Sequence, residues 1–225
     1  MIIRFSTSVA DTKMVALIQN DHSDINPTMP RKANITTQDL TDRALEHFWE
    51  NGFHASSMDD LVKSTGATRH AIYGAFGGKK QMFLACFQRY QNLVVSPAFI
   101  QVEQADATLE QVAGYFETQI SRAEATGLPG PGCLVANSAT EVAPHDTEVL
   151  AKVEAHNTRL KLGFLNALQN EDPAGNPEEL EILAGLLVVF TNGLWSTSRL
   201  TKDGDFLRAS TLQFLKTIRT RISAP

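Results

Sequence analysis

Apolar residues recur along this chain with the spacing of one helix face almost from end to end, and strand-like alternation persists nowhere. In "TTQDLTDRALEHFWENG", Leu40, Ala44, Leu45, Phe48 and Trp49 share one stripe. Met82, Phe83, Cys86, Phe87, Tyr90, Leu93 and Val94 form a second. Leu109, Val112, Ala113, Phe116, Ile120 and Ala123 form a third, and Val149, Val153, His156, Leu160, Phe164 and Ala167 a fourth. Helix punctuation sits where these stripes need it. Thr36 with Asp39 reads as a capping box and Gly52 as a stop. Ser57 caps a helix that carries Asp59 and Asp60 at its positive end and closes at Gly66, and Asp146 caps a long helix. A short helix is expected near 69–75, a longer one from Lys79, another in "CLVANSATEVA" after the turn "GLPGPG", and two last ones over 177–199 and 204–222. The pattern predicts an all-α chain of about nine helices.

With 225 residues, 43% hydrophobic and 20% charged, the chain has enough apolar material for a core and does not read as disordered. Its two cysteines, Cys86 and Cys133, make neither a disulfide framework nor a zinc pattern, so a reducing cytoplasm is expected. The N-terminus lacks a continuous apolar h-region, and the apolar run "ILAGLLVVF" at 182–190 is well short of the ~20 residues a spanning helix needs, so no membrane partner is expected. Residues 1–33 read as a flexible arm, with Met29 an alternative start and Arg31 and Lys32 available to phosphates.

The net charge of −5 is unevenly spread. From Leu61 to Val102 there is no aspartate or glutamate, while Lys63, Arg69, Lys79, Lys80 and Arg89 give that window +5 and leave −10 for the rest. A basic patch on an acidic body is an electrostatic footprint for nucleic acid, although charge runs are more often solvated faces. The same window holds two short helices joined by a tight turn at Gly66, a helix-turn-helix in which Leu61, Ala67 and Ile72 face inward and Phe76 joins the core. The exposed N-terminal end of its second helix offers Thr68, Arg69 and His70 to base edges. Tyr73, Lys79 and the amides that open the next helix suit phosphate oxygens, and Ser57 stands at the start of the first helix of the pair.

The stretch "FWENGFHASSMDDLVKSTGATRHAIYGAFGGKKQMF" resembles the N-terminal DNA-binding domain of TetR/AcrR-type transcriptional regulators. The matching marks are Phe48, Gly52–Phe53, Ser57–Met58, Leu61, Gly66, Ile72–Tyr73, Phe76 and Lys79. The resemblance covers about 34–94, and "GPGCLVANSATEVAPHDTEV" is similar to a segment common in the family's ligand domains. Two positions depart from the pattern. His70 stands where a small residue is frequent, and Gly78 where a polar cap is common. The resemblance implies a helix-turn-helix domain over 34–94 and an effector-binding and dimerisation domain over 95–225. It also implies a homodimer that reads a near-palindromic double-stranded operator and is released by a small effector, with the last two helices pairing across the dimer. "LEILAGLLVVFTNGLW" is apolar enough for that pairing, or for a central core helix.

The body carries stripes rather than a motif. Phe116, Cys133, Asn137, His156, Phe164 and Trp195 are the candidates to line an effector cavity, although aromatic residues at helical spacing are mostly core. Cys133 opens a helix, where a thiolate is favoured, so a regulator switched by thiol oxidation or by a protein partner is the alternative. The six histidines form no metal-spaced pair, and no nucleophile elbow or nucleotide loop is present, so neither catalysis nor a cofactor is expected.

Overall fold

The computed structural model describes residues 35–222, and every regular element among them is helical. The proposed arm, with Met29, Arg31 and Lys32, lies outside the described residues. α1 (Thr37–Asn51) opens on a two-way capping box between Thr36 and Asp39 and stops at Gly52, whose φ of 84° lies outside helical space. α2 (Met58–Thr65) repeats the device with Ser57 and Asp60. It ends at Gly66, where a φ of 70° turns the chain in a conformation that a Cβ disfavours. α3 (Arg69–Phe76) follows, capped by the Thr68 hydroxyl.

α4 begins at Lys79 and is helical to Tyr90, widens into a π-helical turn over Gln91–Val95, and finishes as Ser96–Phe99. Pro97 gives a physical reason for the widening. It has no N–H for the Leu93 carbonyl one turn back, and its ring crowds that carbonyl, so a looser turn relieves the conflict. The expected boundary near residue 94 therefore falls inside one continuous rod.

The remaining helices are α5 (Leu109–Thr126), α6 (Leu134–Glu141), α7 (Thr147–Glu171), α8 (Pro177–Thr197) and α9 (Gly204–Ile222). Asp146 caps α7 and Asn176 caps α8, each accepting from two backbone amides. The expectation of about nine helices holds among the described residues. α8 is long and apolar enough to cross a membrane by length and composition, but Leu183, Leu187, Leu194 and Trp195 turn one face of it into the core.

Two aromatic clusters organise the interior. In the first, Phe48 meets Phe83 edge to face at 5.2 Å, with Leu61, Ile72 and Met82 buried around them. In the second, Phe99 meets both Tyr115 and Phe164 edge to face at 5.3 Å. Arg208 fastens α9 to α5 through Glu117 and Glu124.

Candidate nucleic-acid interface

The turn between α2 and α3 is rigid for local reasons. The Thr65 hydroxyl donates to the Leu61 carbonyl at 2.5 Å and accepts from the Ala67 amide at 3.3 Å, while Arg43 donates to the Thr65 carbonyl at 2.7 Å. Leu61, Ala67 and Ile72 are buried as the sequence suggests, and Phe76 is half-buried against the core. Only Ile72 is fully inside in α3, so the helix presents Arg69, His70 and Tyr73 outward. Tyr73 is 47% exposed, high for an aromatic side chain with no surface to pack on.

The candidate residues carry local work as well. The Ser57 hydroxyl donates to Asp60 Oδ2 at 2.5 Å and accepts from the Asp60 amide, which holds the Asp60 carboxyl below the usual carboxylate range. Thr68 accepts from the Ala71 amide at 3.2 Å. No side chain caps the start of α4, in keeping with Gly78 at that position. The Lys79 ammonium lies 4.3 Å from the Phe53 ring centroid. Partial burial lowers its pKa, an effect the Glu141 carboxylate opposes.

The +5 window is less basic in space than along the chain. Arg69 pairs with Asp59 at 2.6 Å, both exposed. Lys80 is shared by Asp146 at 2.8 Å and Glu148 at 2.7 Å, and Arg89 forms a two-pronged pair with Asp42 at 2.6 and 3.0 Å. The fold brings in acids that the local sequence lacks. Among the described residues, only Lys63 and Lys79 of the five make no ion pair.

The body candidates fall in four places. Phe116 and Phe164 are fully buried and stacked, with centroids 6.3 Å apart. Cys133 and Trp195 meet through two tyrosines that the sequence reading did not single out for a site. The Tyr90 hydroxyl bonds the Cys133 sulfur and Trp195 bonds Tyr115, and Tyr115 also touches Phe116. His156 faces the Gln91 amide in the π-helical turn at 3.1 Å, and burial pulls its pKa down to about 4. Asn137 instead holds the preceding turn by donating to the Pro131 carbonyl at 2.9 Å. Two surface grooves, of about 590 and 520 Å³, lie between α5 and α9 and along α7, and none of the six lines either.

The helix start that would favour a thiolate at Cys133 meets a contrary effect. Cys133 is buried, and burial pushes its thiol up against the weaker pull of the Val135 and Ala136 amides and Tyr90.

The three-helix arrangement has recognisable counterparts. Residues 40–86 match the family model described as bacterial regulatory proteins, tetR family. The uncharacterised HTH-type transcriptional regulator YezE of Bacillus subtilis (strain 168) is 27% identical over 188 residues, which span 80% of this chain and 94% of that protein. The HTH-type transcriptional repressor ComR of Escherichia coli (strain K12) is 28% identical over 48% of this chain and 51% of its own length. The same fold occurs in a TetR transcriptional regulator from Chloroflexus aurantiacus J-10-FL, with a TM-score of 0.70 and 21% identity over 84% of this chain and 96% of that one. It occurs also in CifR, a TetR family regulator solved as a cysteine mutant with a 26-bp double-strand operator, with a TM-score of 0.67 and 21% identity over 84% of this chain and 98% of that one. These relatives are regulators rather than enzymes. Residues 40–86, which hold the helix-turn-helix formed by α2 and α3, are thus a TetR-family DNA-binding domain, and the chain as a whole is similar to TetR-family transcriptional regulators.

Proposed function

We propose that the protein is a repressor that binds a near-palindromic operator as a homodimer and is released by a small effector. Residues 34–94 form the reading head, and 95–225 form the effector-binding and dimerisation part. The observation that carries this reading is the outward face of α3. Arg69, His70 and Tyr73 stand exposed on a short helix whose one buried contact, Ile72, anchors it to a rigid turn.

Arg69 is available despite its carboxylate. An exposed ion pair such as Arg69–Asp59 is worth about 0–1 kcal/mol, whereas a bidentate arginine–guanine contact contributes about 1–3 kcal/mol. The exchange favours DNA. Thr68 and His70 flank Arg69 for base edges, while Ser57, Tyr73, Lys79 and the uncapped amides of α4 take phosphates.

Dimerisation is supported by α8 and α9. Ile182, Leu186 and Val189 line one exposed face of α8, with Val189 69% exposed, and Phe206 and Leu212 stand out from α9. Exposed apolar faces of that extent on adjacent helices suit a second copy of the same pair. The effector site is proposed around Tyr115, Phe116, Cys133, Phe164 and Trp195, where a few polar groups are set among aromatic walls.

The test is binding of the purified protein to DNA upstream of its own gene, with random duplex as competitor. Specific, salt-sensitive binding by a dimer is expected. Affinity no better than for random duplex at that site and across a genomic selection would overturn the reading.

A further inference from the structure

Besides the Lys80 contact with the start of α7, the reading head meets the body through one short helix, α6, and those contacts fall at both of its ends. Just before α6, the Gly132 carbonyl accepts the Trp49 indole N–H at 2.9 Å. At its last residue, the Glu141 carboxylate accepts two amides of the turn that joins α1 to α2, Phe53 N–H at 3.1 Å and His54 N–H at 2.7 Å. The His54 ring closes the contact at 3.2 Å from the Glu141 carbonyl oxygen. The seat is tight. A Cβ on Gly52, where φ is +84°, would lie 2.8 and 2.9 Å from the two carboxylate oxygens. The Phe53 ring, whose amide is held in this way, is also the surface under the Lys79 ammonium.

We propose that Glu141 is the positioning residue that sets the angle of the reading head on the body, by gripping the α1–α2 turn through two backbone amides. The inference rests on the operator-reading role of α2 and α3. Two fixed points, Trp49 and the 53–54 turn, leave α6 little freedom to rotate against the head. α6 in turn begins at Cys133, which is packed against Tyr90 and close to Tyr115. Rearrangement of that buried cluster is thereby transmitted to the pose of α3. Within a single half-site the pose hardly matters. Across two half-sites it decides whether both recognition helices reach their grooves at once.

The experiment compares the full-length protein with Glu141→Gln and Glu141→Ala on three DNAs: the palindromic operator, duplexes with half-sites one base pair closer or farther, and a single half-site. Both variants should lose about tenfold on the palindrome, because fewer heads are held in the competent pose. They should bind the half-site unchanged and discriminate less between spacings. Gly52→Ala, which crowds the carboxylate from the opposite side, should act in the same direction. Equal losses on palindrome and half-site, or no loss in variants with unchanged melting temperature, would overturn the proposal.

Spin labels at Ser64→Cys and Glu154→Cys, both exposed positions, report the pose without DNA. Their distance distribution should broaden in Glu141→Gln, and an unchanged distribution refutes the clamp. If the wild type recognises no operator, the functional reading fails, and the label distances still decide the role of Glu141.

Discussion

Lys79 and Lys80 are chain neighbours with the same charge, and the structure assigns them opposite electrostatic fates. Lys80 is flanked by two carboxylates, Asp146 at 2.8 Å and Glu148 at 2.7 Å, and these hydrogen bonds raise its pKa. Its counterions are already protein groups. Lys79 makes no ion pair among the described residues and rests on the Phe53 ring, so a phosphate is the partner it lacks. Replacing Lys79 by Gln should remove one phosphate contact per protomer, and with it about 0.9 from the slope of log K against log salt, or about 1.8 for a bound dimer.

Over a roughly fourfold rise in salt, the affinity gap between wild type and Lys79→Gln should therefore narrow about tenfold. Lys80→Gln should shift the line by loosening the head on α7, yet leave it parallel to wild type. Fluorescence anisotropy of a labelled operator duplex at four or more salt concentrations measures both slopes. Equal flattening by the two variants would show that the fold does not sort the basic residues as argued. Parallel lines for both would remove Lys79 from the interface.

Three further outcomes are expected. The His156 pKa lies at about 4 instead of 6.5, so the neutral buried ring costs nothing above pH 6.5, and stability falls as pH drops from 6.5 toward 4 while only the unfolded chain takes up the proton. The loss should approach about 3 kcal/mol, and His156→Gln, compared with wild type by urea unfolding across that range, should remove it; identical pH profiles would refute the assignment. Val189→Glu should yield a monomer by light scattering and weaken operator binding by about a hundredfold through lost avidity, whereas a dimer that persists would place the interface elsewhere. Cys86 and Cys133 are both buried with raised thiol pKa values, so iodoacetamide should label neither until the protein unfolds. Rapid labelling of native Cys133, read by mass spectrometry, would return thiol oxidation to consideration.

The helices were legible in the sequence because their signals are local. Capping boxes at Thr36 and Ser57, the αL turn at Gly66 and the Asp146 cap each need only three or four neighbouring residues, and each is formed. The face of α3 was legible for the same reason, since Ile72 alone points inward on so short a helix. What the sequence could not display was pairing across long separations. Asp42 lies 47 residues from Arg89, and Glu148 lies 68 from Lys80, so a window free of acids looked bare when it was not. Glu141 carried no motif at all. Its role depends on a turn 87 and 88 residues earlier in the chain. At Cys133 the helix start that favours a thiolate is a local signal, whereas the burial that dominates there comes from elements distant in the chain.

The same pairings alter what the charge asymmetry means. Arg69 and Arg89 pair with Asp59 and Asp42 of the head itself, whereas Lys80 pairs with acids of the body. Asp146 and Glu148 open α7, and Glu141 closes α6, so the carboxylates that meet the α1–α2 turn and Lys80 come from one short stretch of the body. Lys80 is paired with the body, while its neighbour Lys79 makes no ion pair among the described residues, as the proposed phosphate contact requires. A chain that needed only affinity for DNA would gain by keeping both lysines unpaired, since each phosphate contact adds to binding on any sequence. Giving one of them to the body sacrifices nonspecific affinity for a defined angle between head and body. That exchange is useful only to a protein whose binding depends on the spacing of two heads. The Lys80 pairing thus supports the proposed spacing-dependent regulator, and it predicts that loosening the head should damage recognition of the palindrome before it damages affinity for DNA in general.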